Sequence, residues 1–218
     1  MLIDVRNISK SYKTRYDEIN VFENLSFTAD KGEFVAITGK SGCGKSTFMR
    51  IIGCLESFEN GEYFFDGENL ALVNNARLAE IRNRKIGYIF QNFSLIPEYT
   101  IFENIEVPLG YLGVSKKQRT ERVNDLLRTV ELTDKAKNYP SQLSGGQQQR
   151  IAIARAIAND PELIIADEPT GNLDFENLER IMKTFINLKN NNISIIMVTH
   201  DANAAKYADR IIKFTELI

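Results

Sequence analysis

An α/β fold is what the sequence predicts, built on a parallel sheet covered by helices on both faces. Three observations carry that prediction. Strand-length apolar runs alternate with helix-periodic stretches over residues 163–214, the pattern of parallel strands joined by crossover helices. The run EFVAIT at 33–38 passes through a glycine-rich loop straight into a helical pattern, which is how a βαβ unit opens. Between these parts, residues 91–159 carry helical periodicity and few strand signals, so a helical insertion interrupts the sheet-forming sequence.

Taken in order, residues 2–5 and 22–27 read as strands separated by a polar stretch, and 33–38 as a buried strand. Phe48, Ile51, Ile52 and Leu55 sit at helical spacing over 46–55. Residues 86–90 form a strand. Residues 115–132 place Val123, Leu126, Leu127 and Val130 on one face and charges on the other, an amphipathic helix. A second helix runs over 144–158. Then come a strand at 163–166, a helix at 178–188, a strand at 193–199, a short helix at 202–208 and a last strand at 211–214.

With 43% hydrophobic and 26% charged residues, the composition is that of a soluble globular chain, which excludes a collagen, a disordered tail and a coiled-coil rod. The length of 218 residues fits one domain, with a core of 1–90 and 160–218 and a helical part of about 91–159. Lysine and arginine total 27 against 29 acidic residues, a net charge of −2, so no global charge draws the chain to nucleic acid or anionic membrane. The basic run Arg82-Asn83-Arg84-Lys85 is short and reads as a solvated turn. The apolar runs fall far short of the roughly 20 residues a membrane helix needs. The N-terminus lacks an apolar signal core, so export is not expected. Little sequence follows the last strand, so no added regulatory domain is expected. Cys43 and Cys54 are too few for a secreted disulfide framework and are expected as free thiols.

The chemistry starts at Gly39-Lys40-Ser41-Gly42-Cys43-Gly44-Lys45-Ser46, which fits G-x-x-x-x-G-K-[ST]. Glycines let backbone N–H groups converge on phosphate oxygens. The helix that follows adds its positive end. Lys45 supplies a point charge to the β and γ phosphates, and Ser46 offers a hydroxyl to Mg²⁺. Thr47 completes the nucleotide-binding set. A bare glycine-rich turn would not also follow a strand and open a helix.

Leu163-Ile164-Ile165-Ala166 runs into Asp167-Glu168. A buried strand ending in two adjacent carboxylates is costly unless the charges meet a cation. By itself the pair is equally a solvated strand end. Beside a phosphate loop, Asp167 is expected to hold Mg²⁺, through water, and Glu168 to act as general base. Leu143-Ser144-Gly145-Gly146-Gln147 opens the second insertion helix, with Ser144 as a good N-cap. On its residues alone this is a capped helix entrance.

LSGGQQQR at 143–150, followed by ADEPTGNLD at 166–174, resembles the signature of ATP-binding cassette (ABC) transport ATPases, and the resemblance covers essentially the whole chain. It implies a P-loop NTPase (RecA-like) core with an N-terminal antiparallel β portion and an inserted α-helical subdomain. It implies ATP and Mg²⁺ as ligands and a homodimer that sandwiches two ATP molecules. Tyr12 matches the aromatic that stacks on adenine, although the Tyr16 ring nearby suits the same task. Gln91 matches the glutamine that touches Mg²⁺ and water and hinges the helical part. Leu143, Ser144, Gly145, Gly146 and Gln147 match residues that contact the partner's nucleotide. Asn172, Leu173 and Asp174 match the loop that touches the partner subunit. His200, the only histidine, is by itself more often structural, but matches the γ-phosphate switch.

The longer strings GKSGCGKSTFMRIIGCLE and LAEIRNRKIGYIFQNFSLIPEYTIFENIEVPL are similar to the lipoprotein-releasing, macrolide- and peptide-export group. That likeness implies a membrane permease partner with a large extracytoplasmic domain and a place on the cytoplasmic face of the cell membrane. Phe93, Leu95, Ile96, Pro97 and Tyr99 would belong to the groove that receives it. Two residues depart from the usual pattern: Cys43, where serine or alanine is common, and Phe175, where a small polar residue follows Asp174. The rivals are a soluble ABC ATPase of DNA repair or translation, which would carry coiled-coil insertions or two cassettes, and a binding module without hydrolysis, which would lack Glu168 or Lys45.

Overall fold

The computed structural model describes residues 1–15, 17–171 and 174–218, the Phe175 side chain aside. Its first two strands, β1 (Ile3–Lys13) and β2 (Glu18–Ala29), are longer than the hydrophobic pattern predicts. They form one antiparallel hairpin that brings Tyr12 opposite Ile19. Register shifts between Val5 and Ile8, and again on to Lys10 and Ser11, keep the polar stretch paired. Two further strands, β4 (Asn60–Phe65) and β5 (Glu68–Asn69), complete an antiparallel sheet in the order β2-β1-β4-β5.

The second sheet is wholly parallel. It contains β3 (Phe34–Thr38), β6 (Ile86–Ile89), β7 (Leu163–Asp167), β8 (Ser194–Val198) and β9 (Arg210–Lys213), in the order β6-β7-β8-β3-β9. The helices are α1 (Lys45–Ile52), α2 (Asn75–Arg84), α3 (Ile101–Gly110), α4 (Lys116–Thr129), α5 (Gly145–Ala156), α6 (Phe175–Asn190) and α7 (Ala202–Ala205). The basic run at 82–85 is therefore not a turn but the end of α2, where the Arg82 guanidinium donates to the Cys54 carbonyl at 2.8 Å. α7 is shorter than predicted.

Alternation along the parallel strands divides the core in two. Val35, Ile37, Leu163, Ile165, Ile196 and Val198 face α1 and the antiparallel sheet. Phe34, Ala36, Ile164, Ala166, Ile195 and Met197 face the other way, into a cluster with side chains of α3, α4, α5 and α6. The insertion's helices thus share an apolar core with the sheet. Among the described residues no helix is long and apolar enough to cross a membrane.

Candidate nucleotide site

Parallel strands leave their carboxyl ends on one side of the sheet, and ligands bind there. The segments that leave β3, β6, β7 and β8 at that side supply Gly39, Gln91, Glu168 and His200, and all four line one cleft of about 660 Å³. Tyr12, Ser41, Gly42, Gly44, Lys45, Ser46, Thr47 and Asp167 line it too. The structure therefore brings together most of the residues singled out from the sequence. Lys40 and Cys43 belong to the loop without lining the cleft. Cys43 instead packs against the core behind it.

Gly42 and Gly44 take φ of 78° and 102°, the left-handed region that glycine enters freely. Gly44 caps α1 without a side chain, which leaves the first N–H groups of the helix for an anion. The Lys45 ammonium is folded back onto the loop and donates to the carbonyls of Gly39 at 2.9 Å and Lys40 at 2.6 Å. The charge that a phosphate would claim thus meets the loop's own carbonyls.

Burial raises the Asp167 carboxyl above its ordinary value. A hydrogen bond from Ser46 opposes this, the Glu168 charge adds to it, and the Lys45 and Arg50 charges oppose it. A divalent cation would favour the ionised form, and the hard oxygens of Ser46, Gln91 and Asp167 suit Mg²⁺. Among the described residues no cluster of three His, Cys or carboxylate groups is placed to hold a metal. The fit is thus to a cation that takes the rest of its oxygens from phosphates and water.

Glu168 adopts φ of 48°, a left-handed backbone that costs a non-glycine residue energy. Its N–H donates to the Val198 carbonyl at 2.9 Å, and its carbonyl accepts from the Gly171 N–H at 3.1 Å. This turn aims the carboxylate at His200, whose Nδ1 lies 2.9 Å from Oε2 and whose backbone N–H donates to the same oxygen at 3.3 Å. Glu168 is mostly enclosed while the imidazole is 73% exposed, so the histidine can meet a ligand while it grips the carboxylate.

The hydrogen bond to Glu168, and then its charge, raise the His200 pKa above the ordinary 6.5. A group with a raised folded pKa binds its proton more tightly in the folded chain. Its stabilising contribution is full below the ordinary value and is lost as pH rises through the raised one. Glu168→Gln is expected to move the titration of His200 back down toward 6.5. With one histidine in the chain, NMR of the imidazole resonances reads this directly. An unchanged midpoint would remove Glu168 as the cause.

Tyr12 is held from behind. Its hydroxyl accepts from Arg50 Nη2 at 3.1 Å and lies 3.4 Å from Thr47 Oγ1. The Lys10 ammonium sits over its ring, 5.2 Å from the centroid. Glu56 joins the two cations, 3.0 Å from Arg50 Nε and 3.3 Å from Lys10 Nζ. Burial pushes the Glu56 carboxyl up, but hydrogen bonds from Tyr12 and Lys10, with the charges of Arg50 and Lys10, hold it below its ordinary value. Ile19 and Val21 form an apolar wall beside Tyr12. Tyr16 lies outside the described residues.

Residues 143–147 contribute nothing to this cleft. Ser144 caps α5 in a reciprocal box: its N–H donates to Gln147 Oε1 at 2.9 Å, and its Oγ accepts from the Gln147 N–H at 3.4 Å. Gly146 lies against Asn177, whose Oδ1 would stand 2.8 Å from any Cβ placed there. Asn177 in turn donates from its backbone and its side chain to Asp174, at 2.8 and 3.1 Å. Asn172 and Leu173 lie outside the described residues. On α5, Arg155 donates to the carbonyls of Ser94 at 2.6 Å and Phe93 at 2.8 Å. Phe93 and Ser94 both have left-handed backbones. Lys10, Arg50, Glu56, Arg155 and Asn177 were not singled out from the sequence. Only their partners in space reveal them.

The profile of the ABC transporter family matches residues 22–171. The chain belongs to the ABC transporter family. It is an ATP-binding cassette and an ATPase. It is 46% identical over 209 residues to the uncharacterized ABC transporter ATP-binding protein YvrO of Bacillus subtilis strain 168, covering 96% of this chain and 91% of that one. It is 44% identical over 218 residues to the macrolide export ATP-binding/permease protein MacB of Syntrophobacter fumaroxidans, 99% of this chain but 30% of the relative. The cassette MJ0796, solved as a dimer in a post-hydrolysis state with ADP and Pi, superposes with a TM-score of 0.91 at 41% identity, over 97% of this chain and 94% of that one.

The cassette's two thiols differ. Cys43 is half-buried, and Cys54 is buried, its thiol pushed up to about 12 by burial against a partial offset from Arg82. A maleimide is expected to label the half-buried Cys43 and, by forcing bulk between the phosphate loop and the core it packs against, to weaken ATP binding, while Cys54 stays unlabelled in the folded chain. Peptide mass mapping checks this. Labelling of Cys43 that leaves ATP binding intact would detach that residue from the loop's function.

Proposed function

We propose that this cassette hydrolyses ATP as one half of a homodimer and drives an exporter-type permease of the macrolide, lipoprotein or antimicrobial-peptide class. The observation that carries the reading is a division of residues: Lys45, Ser46, Gln91, Asp167, Glu168 and His200 share one cleft, whereas Ser144 and Gly146 lie outside it. Such a site is half-built, and a second copy supplies the remainder. Dimeric MJ0796 and the joined ATP-binding and permease parts of MacB support the two assemblies. The permease places the cassette on the cytoplasmic face of the membrane.

In this reading the loop N–H groups and Lys45 hold the phosphates, while Tyr12, Ile19 and Val21 receive the base. Ser46, Gln91 and Asp167 would hold Mg²⁺, which supplies charge neutralisation between the phosphates. Glu168 orients the attacking water and takes its proton, and His200 steadies Glu168 and reaches the γ phosphate. Positioning and charge do the rest. Residues 91–159 would move as the helical part. A groove of about 300 Å³ where the helical part meets the core, lined by Tyr88, Val107, Pro108 and the exposed Tyr111 and not by the Phe93–Tyr99 stretch expected from the sequence, offers a permease helix a seat.

The test is reconstitution with a permease that bears a large extracytoplasmic domain. Binding, with ATPase stimulation that Tyr111→Glu removes, is the expected result. Failure to bind such a permease while binding an importer-type one would overturn the exporter assignment.

A further inference from the structure

Nothing in the phosphate chemistry requires Glu56, yet it is mostly enclosed, 17% exposed, and both of its cationic partners end on Tyr12. Lys10, 11% exposed, is fixed a second time by the Ser57 carbonyl at 2.9 Å. The ammonium therefore covers one side of the Tyr12 ring and cannot wander. Arg50 fixes the far end of the ring through the hydroxyl. A ring pinned at its tip and backed on one side meets a base with what remains, the part that lines the cleft beside Ile19 and Val21.

We propose that Glu56, acting through Lys10 and Arg50, is the positioning residue that holds the Tyr12 ring ready to stack on adenine, and so sets how much of the affinity for ATP comes from its base. This rests on the reading that Tyr12 receives the base. Pre-organisation is the physical reason: a ring fixed before binding has less freedom to lose when the base arrives. A cation held on one face also leaves the opposite one to the incoming base.

The experiment compares two probes on the full chain, MgATP and magnesium inorganic triphosphate, by titration calorimetry. Triphosphate engages the loop, Lys45 and Ser46 but has no base. Tyr12→Ala is expected to weaken MgATP about fivefold to a hundredfold, the range of one base-stacking contact, and to leave triphosphate binding unchanged. Glu56→Gln keeps shape but drops the charge that gathers Lys10 and Arg50, and should weaken MgATP about three- to tenfold, again sparing triphosphate. In the double variant Tyr12→Ala/Glu56→Gln the second change should add nothing, because it acts through the ring alone. Lys10→Met, which leaves the carboxylate in place, should repeat the pattern and carries the test if Glu56→Gln fails to fold by circular dichroism. A Glu56 effect that is absent, that adds fully to Tyr12→Ala, or that weakens both probes alike would overturn the proposal while Tyr12 keeps its role. If Tyr12→Ala itself leaves MgATP binding intact, the reading of Tyr12 falls first.

Discussion

Glu168→Gln is expected to lower ATP turnover by roughly 10²–10⁴ and to leave ATP bound. An amide cannot take the water's proton, but it keeps the shape of the side chain and can still accept from the His200 backbone N–H, now 3.3 Å from the carboxylate. Lys45, Ser46 and the loop N–H groups are untouched. Removing a negative charge beside the γ phosphate favours retention. If Ser144 and Gly146 complete a partner's site, trapped nucleotide traps the pair. Light scattering of the variant should then read a monomer without nucleotide and a dimer with ATP. Adding Ser144→Arg should dissolve that dimer by placing bulk at the capped start of α5. A variant that hydrolyses at the parent rate would strike Glu168 from the mechanism. One that stays monomeric at saturating ATP would restrict the pairing to the permease complex.

Lys45→Ala should weaken ATP binding tenfold or more, about 1.5–3 kcal/mol for a charge-assisted contact. Two losses combine. The phosphates lose their nearest cation, and the Gly39 and Lys40 carbonyls lose the donor that holds the loop in shape before ATP arrives. The second loss predicts that the loop of the variant exchanges its amides faster even without nucleotide. Equal calorimetric affinity in variant and parent would show that the backbone N–H groups alone carry the phosphates.

The nucleotide site was legible because its parts are local. A glycine loop between strand and helix, and two carboxylates at a strand end, state their chemistry within a few residues of chain. The elements missed lack such local signs. α2 buries only Ile81 and so carries no apolar stripe. β4 contains Gly61 at φ of 87°, where a Cβ would stand 2.4 Å from the Arg6 carbonyl. In sequence that glycine looks like a turn, and in space it marks the close approach of β1. α3 holds Pro108, which reads as a breaker. The signal for its start was nonetheless present, since Thr100 and Glu103 form a capping box. Asn104, fully buried, takes four hydrogen bonds to residues 96–100 and ties down the segment after Gln91. The network behind Tyr12 was illegible for another reason: Lys10, Arg50 and Glu56 are ordinary surface residue types until the hairpin and α1 bring them to one ring.

Arg155 holds the strained carbonyls of Phe93 and Ser94 from a helix whose first turn is Ser144 to Gln147. The guanidinium therefore ties the chain just past Gln91 to the helix that starts at Ser144, and a shift of either segment would strain these two hydrogen bonds.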